Sequence, residues 1–352
     1  SLEQLRSEVE SGISEVRDPL GRIRALIRAH LTTLLSYQVR HVTMLTELRA
    51  LTGRHHKEVL ALRKSYARLV CSVLEEAQAE GKLRKDIPAK YLYLALLNVL
   101  NWAVLWFRRD QELPAPRLTD IFTPIYLNGA ATFEAATQET KSVRRRKAAP
   151  SEEPSLPKSS QTTSQRMLET AAELFSRKGY AATSTREIAA VLRIQKPSLY
   201  YHIESKEDLL YTICKSSLEQ IRKDVEHATA RVAAPLERVR ALVRAHLESM
   251  LRDQARHAAT LSEMRALTPE RLAEVIARRD AYEALVRSIL LDAQKAGVLR
   301  NDIPAKYLCL YLLGLMNRVE VWYRPGGSLS PQQLASVFVT IFLTGASARA
   351  DD

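Results

Sequence analysis

The sequence predicts an all-α chain built from a duplicated helical unit, and three observations carry that prediction. Glycine is scarce, 11 in 352 residues, while 46% of the residues are hydrophobic and recur at helical spacing over long stretches. Ser1-Leu2-Glu3-Gln4 recurs as Ser217-Leu218-Glu219-Gln220, an offset of 216 residues that needs no gap to the end of the second copy. Proline opens and glycine closes the periodic stretches at matching places, Pro19, Gly81 and Pro88 against Pro235, Gly297 and Pro304.

Each copy reads as the same helix series. A long amphipathic helix starts at Pro19 or Pro235 and runs to about Leu35 or Leu251; within it RALIRAHL from Arg24 meets RALVRAHL from Arg240. A shorter helix reaches Leu51 or Leu267, and a third ends near Gly81 or Gly297. DIPAKYL at Asp86 and again at Asp302 then opens the most apolar helix, and a last helix runs from about Leu118 or Pro331 to Ala130 or Ala346. Tyr91 to Phe107 is at the short limit for a membrane span. It contains Asn98 and Asn101 and follows Pro88, so it reads as a buried interface helix.

The copies share polar residues in otherwise apolar surroundings: His30 with His246, Glu47 with Glu263, Arg49 with Arg265, and Asn101 with Asn317. Buried polar groups need partners, so buried hydrogen bonds or Glu-Arg pairs are the first expectation and contact with a ligand the second. Trp106 and Trp322 read as core or as the wall of a pocket.

Between the copies, Thr140 to Gln165 is rich in Ser, Pro, Lys and Glu and has no apolar period, which marks a linker. Its Arg144-Arg145-Arg146-Lys147 is a solvated tether or a phosphate contact. The resulting division is residues 1–139, a first helical domain; 140–163, the linker; 164–210, a separate small domain; and 211–352, the second helical domain.

That small domain centres on STREIAAVLRIQKPSLYYHIESKEDLL, from Ser184 to Leu210. Ser184 and Glu187 have the spacing of a capping box, and Ile188, Ala189 and Leu192 supply a helical apolar stripe. Gln195, Lys196 and Pro197 open a second short helix, because the fixed φ of proline suits a first turn. Lys196, Ser198, Tyr200, Tyr201 and His202 crowd hydrogen-bonding groups beside a positive charge. A groove-reading surface and a helical hairpin inside an all-α core both fit this pattern.

Ile188-Ala189, Ile194, Tyr200, His202-Ile203, Lys206 and Leu209 resemble the signature of the TetR family of regulators, I-A-x-x-A-G-V-S-x-G-x-x-Y-x-H-F followed by K-x-x-L. Met167 to Ser184 resembles that family's first helix and its Phe-x-x-x-Gly-Tyr exit. Leu192, Arg193 and Pro197 stand where the family has Ala, Gly and Gly. The resemblance implies a helix-turn-helix reader of double-stranded operator DNA. Arg186, Gln195, Lys196, Ser198 and Tyr201 would be near base edges, and Tyr200, His202 and Lys206 near phosphates. It also implies that the two helical domains are sensor domains paired through their last two helices as an intramolecular pseudo-dimer. In family members two readers meet successive major grooves, roughly 34 to 36 Å apart. Because the second copy carries its reader immediately before Ser217 and the first copy starts at the residue matching Ser217, the repeat leads us to expect a further reader upstream of Ser1, the alternative being a fusion that lost one reader.

Val321 to Leu334, VWYRPGGSLSPQQL, resembles the acyl-CoA-responsive branch of that family, in which arginine and tryptophan on this helix hold the CoA part. The matching residues are Arg318, Trp322 and Arg324; the first copy has Trp102, Trp106 and Arg108 there. With Asn101 and Asn317 these form the implied ligand set. The function implied is a repressor released from its operator by a small-molecule effector such as an acyl-CoA, with a helical interaction scaffold as the alternative.

Composition agrees with this reading. The net charge of +12 favours an acidic partner such as nucleic acid. Cys71, Cys214 and Cys309 are odd in number and unclustered, which implies a reducing compartment and neither a disulfide framework nor a zinc site. Ser1 to Glu10 is charged and helix-like rather than a secretory signal, so a cytoplasmic protein is expected. No Gly-rich phosphate loop, metal-spaced His/Cys set or nucleophile elbow appears, so neither an enzyme nor a cofactor is expected.

Overall fold

The computed structural model describes residues 2–46, 53–107, 113–129 and 162–345, and among these every regular element is helical. The first half comprises α1 (Leu2–Ser14), α2 (Pro19–Ser36), α3 (Gln38–Thr46), α4 (Gly53–Ala79), α5 (Ala89–Trp106) and α6 (Ala115–Asn128). In α1 the residues Leu2, Leu5, Val9 and Ile13 recur every three or four positions and are the buried ones. At the start of α2, Pro19 occupies the first turn, and Asp18 before it is the cap, its carboxylate accepting from the Gly21 amide at 2.6 Å.

The small domain follows as α7 (Thr163–Lys178), α8 (Thr185–Leu192) and α9 (Lys196–His202). A full reciprocal capping box sits at Thr162 and Gln165. At Ser184 half of the expected box is present: its hydroxyl accepts from the Glu187 amide at 3.1 Å, while the Glu187 carboxylate pairs with Lys178. Arg193 ends α8 in the left-handed region at φ 57° and ψ 40°. The turn is closed by the Ile194 amide donating to the Ala189 carbonyl at 3.0 Å, so it forms without the family's glycine, at a backbone cost of about 1 kcal/mol.

α10 (Lys206–Thr229) carries two roles in one rod. Leu209, Leu210, Ile213 and Cys214 enter the core of the small domain, and Ile221 and Val225 enter that of the second half. The helix therefore passes unbroken through residue 210, where the sequence suggested a border. The second half continues as α11 (Pro235–Arg252), α12 (Gln254–Glu263), a 3-10 turn at Met264–Ala266, α13 (Pro269–Lys295), α14 (Ala305–Asn317), α15 (Val319–Trp322) and α16 (Pro331–Thr344).

The repeat extends to individual bonds. Gly81 and Gly297 both stand at φ 70°, ending their helices as expected. Gln78 Nε2 donates to the Arg84 and Ile87 carbonyls at 2.6 and 2.8 Å, and Gln294 Nε2 to those of Arg300 and Ile303 at 2.7 and 2.8 Å. The copies diverge in the apolar helix: α5 runs uninterrupted to Trp106, whereas its counterpart breaks at Arg318, separating α14 from α15.

The halves pack through α5 against α14 and α6 against α16, sharing one continuous apolar core, while the small domain forms a second core together with Ala259, Leu267 and Val275 of the second half. This is the intramolecular pseudo-dimer. Tyr91 to Phe107 lies in that interface, and no described helix is long and apolar enough to cross a membrane. At the ends of the terminal helices Gly129 and Gly345 interlock: a Cβ on Gly129 would meet the Leu343 carbonyl oxygen at 2.3 Å, and one on Gly345 that of Leu127 at 2.2 Å. Glycine here is required for close backbone approach as well as for φ of 82° and 75°.

Candidate nucleic-acid interface and sensor cleft

α9 is two-faced. Leu199 is buried with Ile203, just past its end, while Ser198, Tyr201 and His202, at the i, i+3 and i+4 spacing of one helix face, are exposed. Tyr201 is 85% exposed, its ring edge-to-face with His202 at 5.3 Å. Gln195, at the N-terminal end of α9, and Arg186, on α8, are exposed beside them. Tyr200 is partly covered, its hydroxyl 3.2 Å from Thr185 Oγ1. The backbone of Lys196 begins α9; its side chain lies outside the described residues.

Lys206 sits differently from the sequence expectation. Its ammonium turns inward, donates to the Tyr180 and Thr183 carbonyls at 2.9 Å each, and lies 4.1 Å from the centroid of the Tyr180 ring. It thus latches the α7–α8 turn onto α10. The first turn of α10 also carries Glu207 and Asp208, which counter the attraction of a helix start for phosphate. Beside this latch the buried Glu263 accepts from the Tyr180 amide at 2.8 Å, joining the sensor to the reader backbone, while Arg265 is exposed. Glu47 and Arg49, the first-copy counterparts, lie outside the described residues, as do Arg108 and Arg144 to Lys147.

Inside each half a polar cluster recurs. His30 Nδ1 lies 2.6 Å from the Tyr66 hydroxyl, and His246 Nδ1 is 2.6 Å from that of Tyr282. Burial pushes His30 down to about 3, the neighbouring His41 adding to the effect and an Asn101 hydrogen bond opposing it. Burial and the neighbouring His257 push His246 down to about 3, and burial pushes His257 to about 4, Asn317 opposing both. Asn101 and Asn317 neighbour these clusters, in which Nε2 of His30, His246 and His257 is buried without a hydrogen-bond partner. His41, His257, Tyr66 and Tyr282 escaped sequence reasoning, although the 216-residue offset aligns both pairs.

The remaining ligand residues divide. Trp106 and Trp322 pack edge-on to Phe122 and Phe338 of their own halves, and Trp322 Nε1 donates across the interface to Asn98 Oδ1 at 3.2 Å. Arg318 and Arg324 line a cleft of about 690 Å³ where both halves meet the reader, together with Arg63, Trp102, Arg177 and Glu320. Arg63 comes from the first half, Arg177 from α7, and Arg318, Glu320 and Arg324 from the second half. Burial and then the charge of Arg318 hold the Arg63 guanidinium below its ordinary value. Neither Arg63 nor Arg318 reaches a carboxylate at ion-pair distance among the described residues. Burial pushes the Glu320 carboxyl up to about 7, with Arg318 opposing, so near neutrality it offsets only part of the positive charge. The arrangement suits an anionic group held between two guanidiniums.

A model described as tetracyclin repressor-like, C-terminal domain, matches twice, at residues 16–130 and 232–346, and one described as bacterial regulatory proteins, tetR family, matches residues 167–212. The HTH-type transcriptional repressor KstR2 of Mycobacterium tuberculosis is 27% identical over 180 residues, 51% of this chain and 90% of that protein. KstR2 of Rhodococcus jostii is 28% identical over 180 residues, 51% of this chain and 88% of its own length. The solved structure of the ketosteroid transcriptional regulator KstR2 of Mycobacterium tuberculosis superposes with a TM-score of 0.50 at 27% identity, covering 54% of this chain and 98% of that one.

Proposed function

The chain belongs to the TetR family of bacterial regulatory proteins, and we propose that within it this protein is a DNA-binding repressor released from its operator by an anionic small molecule of the acyl-CoA class. The role is regulatory, exercised on DNA in the cytoplasm. Arg186, Gln195, Lys196, Ser198 and Tyr201 approach base edges in a major groove, Tyr200 and His202 approach phosphates, and Lys206 holds the reader in shape for both.

The observation that carries the effector half of this reading is the cleft. Arg63 and Arg318, from the two halves, line one cleft with no carboxylate at ion-pair distance among the described residues, and Glu173, Ser176 and Arg177 of the reader's first helix line it too. An anion drawn between those guanidiniums changes how the halves sit against α7, and α7 packs on both α8 and α12. Repression is relieved to the extent that the effector binds the altered arrangement more tightly. Phosphate groups of the CoA part fit the arginines, and Trp102 offers a flat apolar neighbour.

Calorimetric titration of the full chain with a short-chain acyl-CoA, with free CoA and with the uncharged acyl amide tests the site. Binding of the acyl-CoA that weakens about tenfold or more in Arg63→Ala and in Arg318→Ala supports it. Equal binding to wild type and both variants, or binding of the amide alone, overturns it.

A further inference from the structure

The pseudo-twofold symmetry fails at the centre of the interface, and it fails in a complementary way. On the 216-residue offset Asn98 corresponds to Gly314 and Trp102 to Arg318. Trp102 of α5 lies directly against Gly314 of α14: a Cβ at Gly314 would stand 3.1 Å from both Cβ and Cδ1 of the tryptophan. Gly314 is helical, so the glycine supplies space rather than a special φ. On the other side of the axis Asn98 fills the matching place. It is 5% exposed, its Nδ2 donates to the Leu315 carbonyl at 3.0 Å, and its Oδ1 accepts from Trp322 Nε1 at 3.2 Å. The first-half counterpart of that tryptophan is Trp106; on the offset the place of its acceptor is taken by Gly314, and its Nε1 is buried without a partner.

From these contacts we infer that the α5–α14 surface is keyed for the unlike half: each half fits the other and not a second copy of itself. Two first halves would set Trp102 against Asn98, whose Cβ and amide occupy the space that Gly314 leaves open. Two second halves would set Arg318 over Gly314, leaving a void beside a guanidinium at a buried seam, and would deprive Trp322 of its acceptor. Like pairing thus carries either overpacking or an unfilled, unsatisfied seam, whereas unlike pairing carries one orphaned indole N–H. The seam makes the single polypeptide, rather than a pair of chains, the complete paired unit.

Exchange of residues across the axis in the full chain tests it. The double exchange Asn98→Gly with Gly314→Asn moves the space away from Trp102 and puts Asn beneath it; it lowers the thermal midpoint by about 5 °C. Adding Trp102→Arg and Arg318→Trp moves the tryptophan to the other half as well, where it meets the new glycine, while the new asparagine accepts from Trp106. The quadruple variant regains at least half of the lost midpoint and keeps the mass of one chain in light scattering. If the double variant is insoluble, recovery of a soluble, helical quadruple variant supports the keyed seam equally. A double exchange with an unchanged midpoint, or a quadruple variant no better than the double, overturns the inference.

Discussion

Gly345→Ala probes the joint between the halves most sharply. Gly345 stands at φ 75° and ψ −174°, a region essentially confined to glycine, so a side chain there costs about 1–3 kcal/mol in backbone strain alone. The added Cβ would also lie 2.2 Å from the Leu127 carbonyl oxygen and 2.4 Å from its carbon. Ordinary contact needs about 1 Å more, and the neighbour is backbone, so the ends of α6 and α16 must separate. Prying apart a packed seam adds about 1–3 kcal/mol, for a total of about 4 kcal/mol. Gly297→Ala is the control: φ is 70°, but nothing lies within 4 Å of the added carbon, so only the left-handed backbone costs, about 1 kcal/mol. Urea unfolding followed by helical circular dichroism compares the two. A Gly345→Ala loss exceeding that of Gly297→Ala by about 3 kcal/mol is expected; equal losses would refute the interlocked joint.

In the reader, Lys206→Met removes two carbonyl bonds and a cation–π contact, lowering that domain's stability by about 2 kcal/mol and DNA affinity with it. Tyr201→Ala leaves unfolding unchanged, because the ring is exposed, and weakens operator binding about tenfold in an anisotropy titration. Arg193→Gly relieves the left-handed turn and raises reader stability by about 0.5–1 kcal/mol in a melting experiment. His30, His246 and His257 have folded values depressed to about 3, 3 and 4, below the unfolded value of 6.5, so the unfolded chain binds more protons between these limits. Their contribution to stability is complete above pH 6.5 and falls as the pH drops from there. At pH 5 each histidine has lost about 2 kcal/mol, which chemical unfolding at pH 7 and pH 5 measures, and replacing His246 by Gln reduces the difference.

The helical class, the duplication and the order of helices were legible because they rest on composition, on an unbroken 216-residue offset and on Pro and Gly at helix borders. The exposed face of α9 was legible from Ser198, Tyr201 and His202 at helical spacing. Lys206 was misdirected by its position: a lysine opening a helix suits phosphate, but the Tyr180 and Thr183 carbonyls and the Tyr180 ring converge on it only after folding. The effector residues scattered for a similar reason. Trp106 and Trp322 pack on Phe122 and Phe338 within their own halves, Asn101 and Asn317 lie near histidines of another helix, and the cleft gathers Arg63, Arg177 and Arg318 from positions far apart in sequence. The asymmetry of Asn98 against Gly314 was present in the aligned copies, yet its meaning depends on Trp102 packing across the axis.

The chain's proposed release of operator DNA on filling the cleft has a direct signature in DNA binding. Fluorescence anisotropy of labelled DNA from upstream of its own gene, against a scrambled duplex, reads that signature with and without a saturating acyl-CoA. Binding to the upstream DNA is expected to be about 1,000-fold tighter than to the scrambled duplex, with a steep loss as salt rises and a further weakening of about tenfold or more with the acyl-CoA that Arg318→Ala abolishes. Equal affinity for both duplexes, or tight upstream binding that the acyl-CoA leaves unchanged, would contradict it.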